Sequence, residues 1–176
     1  MTSVSEYLAT CYRPDCDYVD GQVLERNTGE LEHSGTVGEV VYWLKSRYPR
    51  LRWGVLPSVR VQVKPARFRI PDVCVLAESA PRDKIIRTAP ILCVEILSPE
   101  DTMTEMIRRI QDYFGMGVPV CWILDPVGRR AWVATPGHLD EALDGVLRGE
   151  IEMPLAEIYE DLLRAQASGG AQTAFV

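Results

Sequence analysis

The stretch Pro90-Ile-Leu-Cys-Val-Glu-Ile-Leu-Ser-Pro99 is an apolar run bounded by prolines, and it carries one acid, Glu95, at its centre. Its length and its content of apolar and β-branched residues read as a strand buried on both faces. Behind it, Met103, Ile107, Ile110 and Phe114 recur at helical spacing, and Gly115 and Gly117 close the expected helix. Val118-Pro-Val-Cys-Trp-Ile-Leu124 then begins another buried strand, ended by the turn residues Asp125-Pro126. Strand, helix, strand is the pattern of a parallel crossover. Upstream, residues 53–63 and 69–76 read as an antiparallel hairpin joined near Pro65. The expected fold class is therefore α/β, a mixed sheet flanked by helices.

The rest of the chain fits around this unit. Residues 3–10 read as a short helix, and residues 18–25 as a strand interrupted by a turn at Asp20-Gly21. A longer helix is expected over residues 31–48, with Val37, Val40, Val41, Leu44 and Tyr48 on its apolar side and Pro49 ending it. Residues 130–134 read as a partner strand, 155–163 as a terminal helix and 165–176 as a loose tail, which makes residues 1–164 a single domain. A chain of 176 residues is long enough for one well-buried core.

Composition excludes several classes. The apolar runs are strand-sized, so no membrane span is expected, and Met1-Thr-Ser-Val-Ser-Glu-Tyr7 lacks the basic and apolar regions of a secretory signal. A cytoplasmic protein is expected. Cys74, Cys93 and Cys121 lie in apolar runs and read as buried free thiols, while Cys11 and Cys16 with His33 lack the fourth ligand and tight pair of a zinc site. Net charge is −6, which argues against coating nucleic acid by bulk electrostatics. Yet Lys45, Arg47, Arg50, Arg52, Arg60, Lys64, Arg67 and Arg69 follow one another with no Asp or Glu between them. That basic stretch is either a set of solvated faces or a patch turned toward phosphates.

It leads into Arg69-Ile-Pro-Asp-Val-Cys-Val-Leu76, where Asp72 is a second carboxylate inside an apolar run. Burying an ionised carboxylate is costly unless it is paired, hydrogen-bonded or bound to a cation. Adjacent strands would bring Asp72 and Glu95 together, and two explanations are then open. A shared Mg²⁺ or Mn²⁺, completed by waters and the Ile96 carbonyl, suits hard oxygen donors. Alternatively, Asp72 caps a turn and Glu95 pairs with a buried arginine. A two-carboxylate glycosidase fits less well, because aromatic residues to line a sugar cleft make up only 8% of the chain.

Pro71-Asp72 followed by a strand with Glu95 resembles the PD-(D/E)XK nuclease superfamily, whose fold is restriction-endonuclease-like. Tyr18-Val-Asp-Gly21, His33 at a helix start, Ile70-Pro-Asp-Val73, Val94-Glu-Ile-Leu-Ser-Pro99, Tyr113 before Gly117-Val118, and Trp122-Ile-Leu-Asp-Pro126 narrow the resemblance to the Uma-two-type family of bacterial endonucleases. The resemblance implies that Asp72 and Glu95 bind Mg²⁺ for phosphodiester hydrolysis, with DNA as substrate. It also exposes a departure. The superfamily's lysine two positions after the glutamate is Leu97 here, and the family's relocated lysine, four residues before the tyrosine, is Arg109.

Helical phase places Arg109 on the flank shared with Met106 and Tyr113, whereas Arg108 points away. An arginine stays protonated and cannot act as a general base, but it can clamp a phosphate. Pairing with Glu105 one turn away is the structural alternative. His33 shares the Val37, Val40 and Leu44 face and so is a site-lining candidate or a buried core histidine. Ser98 either lines the site or caps the following helix, and Tyr113 either lines it or is core with its hydroxyl at the rim. The expected activity is a Mg²⁺-dependent DNA endonuclease, with a homodimer expected from symmetry statistics and a non-cleaving binding module as the alternative.

Overall fold

The fold was read from a computed structural model that describes residues 1–26 and 31–160. Six strands form the main sheet in the order β10-β9-β8-β7-β6-β3. These are β3 (Val55–Pro57), β6 (Val73–Val75), β7 (Leu92–Ile96), β8 (Cys121–Asp125), β9 (Arg130–Thr135) and β10 (His138–Glu141). Every neighbouring pair is antiparallel except β7 and β8, which run parallel and are connected through α3 (Met103–Met116). The expected crossover and the mixed sheet are both present.

A four-stranded antiparallel sheet sits apart, ordered β2-β1-β5-β4, from β1 (Asp17–Val19), β2 (Gln22–Leu24), β4 (Val61–Lys64) and β5 (Arg67–Arg69). A short ribbon of β11 (Val146–Leu147) and β12 (Met153–Pro154) completes the strands. The simple hairpin expected over residues 53–63 and 69–76 is thus divided between two sheets: β3 pairs with β6, and β4 with β5. The break is local. Ser58 takes a positive φ of 48° that no strand residue adopts, and Pro71 has no N–H to give a ladder.

Helix α1 (Val4–Ala9) begins at Ser3 with a reciprocal capping box to Glu6. Helix α2 (Leu31–Arg47) ends before a single 3₁₀ turn at Pro49–Leu51. Helix α3 starts at Thr102, whose hydroxyl accepts from the Glu105 N–H, so Thr102 and not Ser98 is its cap. It continues through Gly115 and stops at Gly117, where φ of 105° admits glycine without a Cβ penalty. Residues 155–160 are helical. The end expected for that helix, the domain limit at 164 and the tail over 165–176 lie outside the described residues.

Period-two alternation divides the main sheet's side chains. Val73, Val75, Leu92, Val94, Ile96, Trp122 and Leu124 pack on one face against Val40, Trp43 and Leu44 of α2 and against Ile158. The other face carries a cross-strand row, Cys74, Cys93, Cys121 and Ala134, which packs with Met106, Ile110 and Tyr113 of α3. The three thiols are free and fully buried, as expected. Among the described residues no helix is long and apolar enough to cross a membrane.

Candidate active site

The strand register brings the two carboxylates together. Val73 faces Val94 and Cys74 faces Cys93 across the antiparallel β6–β7 pair, so one further step sets Asp72 opposite Glu95. Alternation places both on the Cys74 and Cys93 face, beneath α3. Directly opposed residues on such strands have Cβ atoms about 4.5–5.5 Å apart, close enough for their side chains to share one ion.

Asp72 is almost fully buried and well supplied with donors. Its Oδ1 accepts from Arg26 Nη2 at 2.5 Å. Its Oδ2 accepts from the Ile96 N–H at 2.8 Å and lies 3.2 Å from His33 Nε2. Burial raises the Asp72 pKa, but the His33 hydrogen bond, the Arg26 and His33 charges and the Ile96 N–H outweigh it, leaving Asp72 below the usual carboxylate value. His33 answers in kind: burial lowers its pKa, and the hydrogen bond and charge of Asp72 more than reverse that.

Glu95 has fewer partners and no exposure at all. Tyr113 donates its hydroxyl to Oε1 at 2.5 Å. Arg109 Nη1 faces Oε2 at 3.5 Å, and Oε2 is buried with no hydrogen-bond partner. Burial, reinforced by the Asp72 charge, overcomes Arg109, Arg26 and Tyr113 and pushes the Glu95 pKa up to about 7. Two opposed carboxylates are thereby driven apart in acidity, a pattern typical of sites that do acid–base or metal chemistry.

The residues expected from the sequence are brought together. Direct contacts join His33 to Asp72 on one side and Arg109 and Tyr113 to Glu95 on the other. Ile96 reaches the site through its N–H to Asp72. Ser98 lies in the segment after β7, its N–H donating to Asp101 and its Oγ buried without a partner. Arg109 turns to Glu95 and Asp101, while Glu105 accepts from Thr102. Arg109 also lines a cavity of about 340 Å³ together with Asp17, Glu25, Arg69, Glu105 and Arg108, a size that admits a small ligand group.

Arg26 had no signal in the sequence. It lies two residues beyond β2, and its partner is 46 positions away. Asp17, Arg69 and Asp112 were also missed. Arg69 donates to Asp17 and Asp112 at 2.9 Å each, and Asp17 further accepts from the Ile70 N–H. This buried bracket joins β1 and β5 to α3 immediately upstream of Asp72. It also accounts for much of the basic stretch. Arg47, Arg60, Lys64, Arg67 and Arg69 pair with carboxylates of the chain, while Arg50 and Arg52 of the same run are exposed.

Donor chemistry and orphaned polar atoms together test the fit of a divalent ion. Among the described residues no three His, Cys, Asp or Glu side chains form a ready cluster. The two carboxylates are hard oxygen donors on one face, and among the described residues Glu95 Oε2 and Ser98 Oγ are buried oxygens without hydrogen-bond partners. The residues therefore fit a hard cation, with Glu95 offering an open oxygen and Asp72 an oxygen held by Arg26.

A mixed sheet carrying this arrangement is the architecture of a nuclease fold. It superimposes on the crystal structure of a putative nuclease belonging to DUF820 from Anabaena variabilis ATCC 29413 with a TM-score of 0.78, covering 91% of this chain and 98% of that one at 21% identity. The profile of the Uma2 family, described as "Putative restriction endonuclease", matches residues 4–162. The chain belongs to the Uma2 family. No match was found among curated proteins.

Proposed function

We propose that this chain is a divalent-metal-dependent endonuclease that hydrolyses phosphodiester bonds in DNA, with Asp72 and Glu95 as the metal ligands. The observation that carries the reading is the opposition of the two carboxylates in the β6–β7 register, with Glu95 Oε2 buried and without a hydrogen-bond partner. Asp72 and Glu95 would hold a Mg²⁺ or Mn²⁺ ion there, which would supply Lewis-acid polarisation of the phosphodiester.

The chain's own groups set up the rest. Tyr113 fixes the rotamer of Glu95 from above, and His33 with the Ile96 N–H fixes that of Asp72. Arg109 lies between Glu95 and the cavity it lines, where a permanent cation can hold a phosphate and offset the negative charge that develops on it. Its guanidinium does not accept a proton, so Arg109 positions and stabilises without acting as base. A second copy of the chain would address the second strand of a duplex.

One observation favours a second reading, a nuclease fold that binds without cutting. Each carboxylate already faces an arginine, Arg26 on Asp72 and Arg109 on Glu95, so the pair is neutralised internally. Incubation of plasmid and single-stranded DNA with Mn²⁺ decides between them. Cleavage abolished in Asp72→Ala supports the enzyme, and cleavage unchanged in that variant removes the assignment. If the parent binds DNA without cutting, Arg109→Lys should restore turnover; no gain would count against an eroded lysine site.

A further inference from the structure

We propose that Arg26 is a resident counter-ion that holds Asp72 until a divalent cation arrives, and that loading the site requires its guanidinium to leave. The inference rests on the reading of Asp72 and Glu95 as metal ligands given above.

The division of labour on Asp72 points to it. Oδ2 is occupied by structure, since the Ile96 backbone and His33 of α2 both address it. Oδ1 is the oxygen left to give to a cation, and Arg26 Nη2 is the group on Oδ1. The side chain of Arg26 is 6% exposed, so the contact is inside the protein and not a surface pair. It crosses from the segment following the small sheet to the end of the main one.

The guanidinium is also imperfectly housed. Its Nε is buried with no hydrogen-bond partner. An unmade hydrogen bond in the interior is expensive, so this housing of the guanidinium costs stability. Charge closes the case. With both carboxylates ionised, as ligands to a metal must be, Asp72 and Glu95 carry two negatives against the two positives of Arg26 and Arg109, and a divalent ion added to all four would leave a buried excess of positive charge. Of the two arginines, Arg109 makes the longer contact, at 3.5 Å, and already lines a cavity, whereas Arg26 sits directly on a ligand oxygen. Arg26 is the one that blocks.

The test uses the full chain without nucleic acid, so that its readout is independent of cleavage. Mn²⁺ affinity is measured by calorimetry for the parent, Arg26→Met, Arg26→Lys and Asp72→Asn. Removing the competing charge should tighten Mn²⁺ binding at least tenfold in Arg26→Met, lower its melting temperature without metal and restore it with metal. Arg26→Lys should stay within about threefold of the parent, since it keeps a competing cation. A melting temperature lowered in Arg26→Met with Mn²⁺ affinity unchanged would assign Arg26 a structural role and overturn the inference. Should Arg26→Met not fold, the Nε–Hε resonance of Arg26 in the parent decides: saturating Mg²⁺ must shift it and speed its solvent exchange, and an unmoved resonance overturns the inference. Asp72→Asn separates the two claims. If it abolishes Mn²⁺ binding while the Arg26 variants bind as the parent does, the metal site stands and the gate falls. If it leaves binding intact, the metal site falls and the gate with it.

Discussion

Tyr113 donates to Oε1 of Glu95 at 2.5 Å from one helical turn beyond Arg109, so a single face of α3 addresses both oxygens of the carboxylate. Tyr113→Phe leaves Glu95 with no hydrogen bond in a fully buried site. The expected loss is about 1–3 kcal/mol, the range for a buried polar group deprived of its partner. Urea unfolding at pH 8, where Glu95 is ionised, should show it, and equal stability of variant and parent there would refute the clamp.

The same carboxylate gives a pH dependence. Its folded pKa of about 7 lies above the usual value of 4.5, so the folded chain holds a proton that the unfolded chain has released. Stability from this group is therefore present at low pH and lost as pH rises toward and through 7. Glu95→Gln, which cannot ionise, should gain about 2–3 kcal/mol relative to the parent between pH 5 and pH 8 in EDTA. A difference between the two proteins that does not change with pH contradicts the raised pKa.

Arg109 and Arg108 both line the cavity, but only Arg109 reaches Glu95, and Arg108 is exposed. Arg109→Ala should lower DNA cleavage by about 10²–10³-fold, the scale for losing one preorganised stabiliser of developing charge. Arg108→Ala should fall by less than about threefold, as expected for a rim charge. Equal losses in a single-turnover assay would mean that both act through bulk charge alone.

Arg69 binds two buried acids at once, Asp17 and Asp112. Arg69→Met should cost about 3–5 kcal/mol, the penalty for stranding buried charge. Thermal unfolding measures it. The exposed Arg130–Glu141 pair provides the contrast, since Arg130→Met should leave the transition in place.

Asp72 and Glu95 could be read because a carboxylate violates the apolar pattern of a buried strand, and the violation is visible one residue at a time. Arg109 could be read because helical phase distinguishes it from Arg108. The phase of α2 likewise carried His33 to Asp72. Arg26 and Asp17 could not be read. Each lies in a polar or short segment with no periodicity to break, and their partners are 46 and 52 residues away, a pairing that only the folded chain establishes. The divided hairpin was hidden for a different reason. A positive φ at one serine leaves no mark on hydrophobic alternation, yet it sends the chain from one sheet to the other.

In the row of Cys74, Cys93, Cys121 and Ala134, burial raises the Cys74 and Cys93 pKa values and keeps those two thiols protonated. The row's contribution is height. A packed helix rests at the distance set by the side chains beneath it, and these four positions offer nothing longer than a thiol. They act as thin shims under α3, letting the Tyr113 phenol descend to the level of Glu95. Working depth in this molecule is set by filler, and a larger residue anywhere in that row would lift the clamp off the carboxylate without touching either.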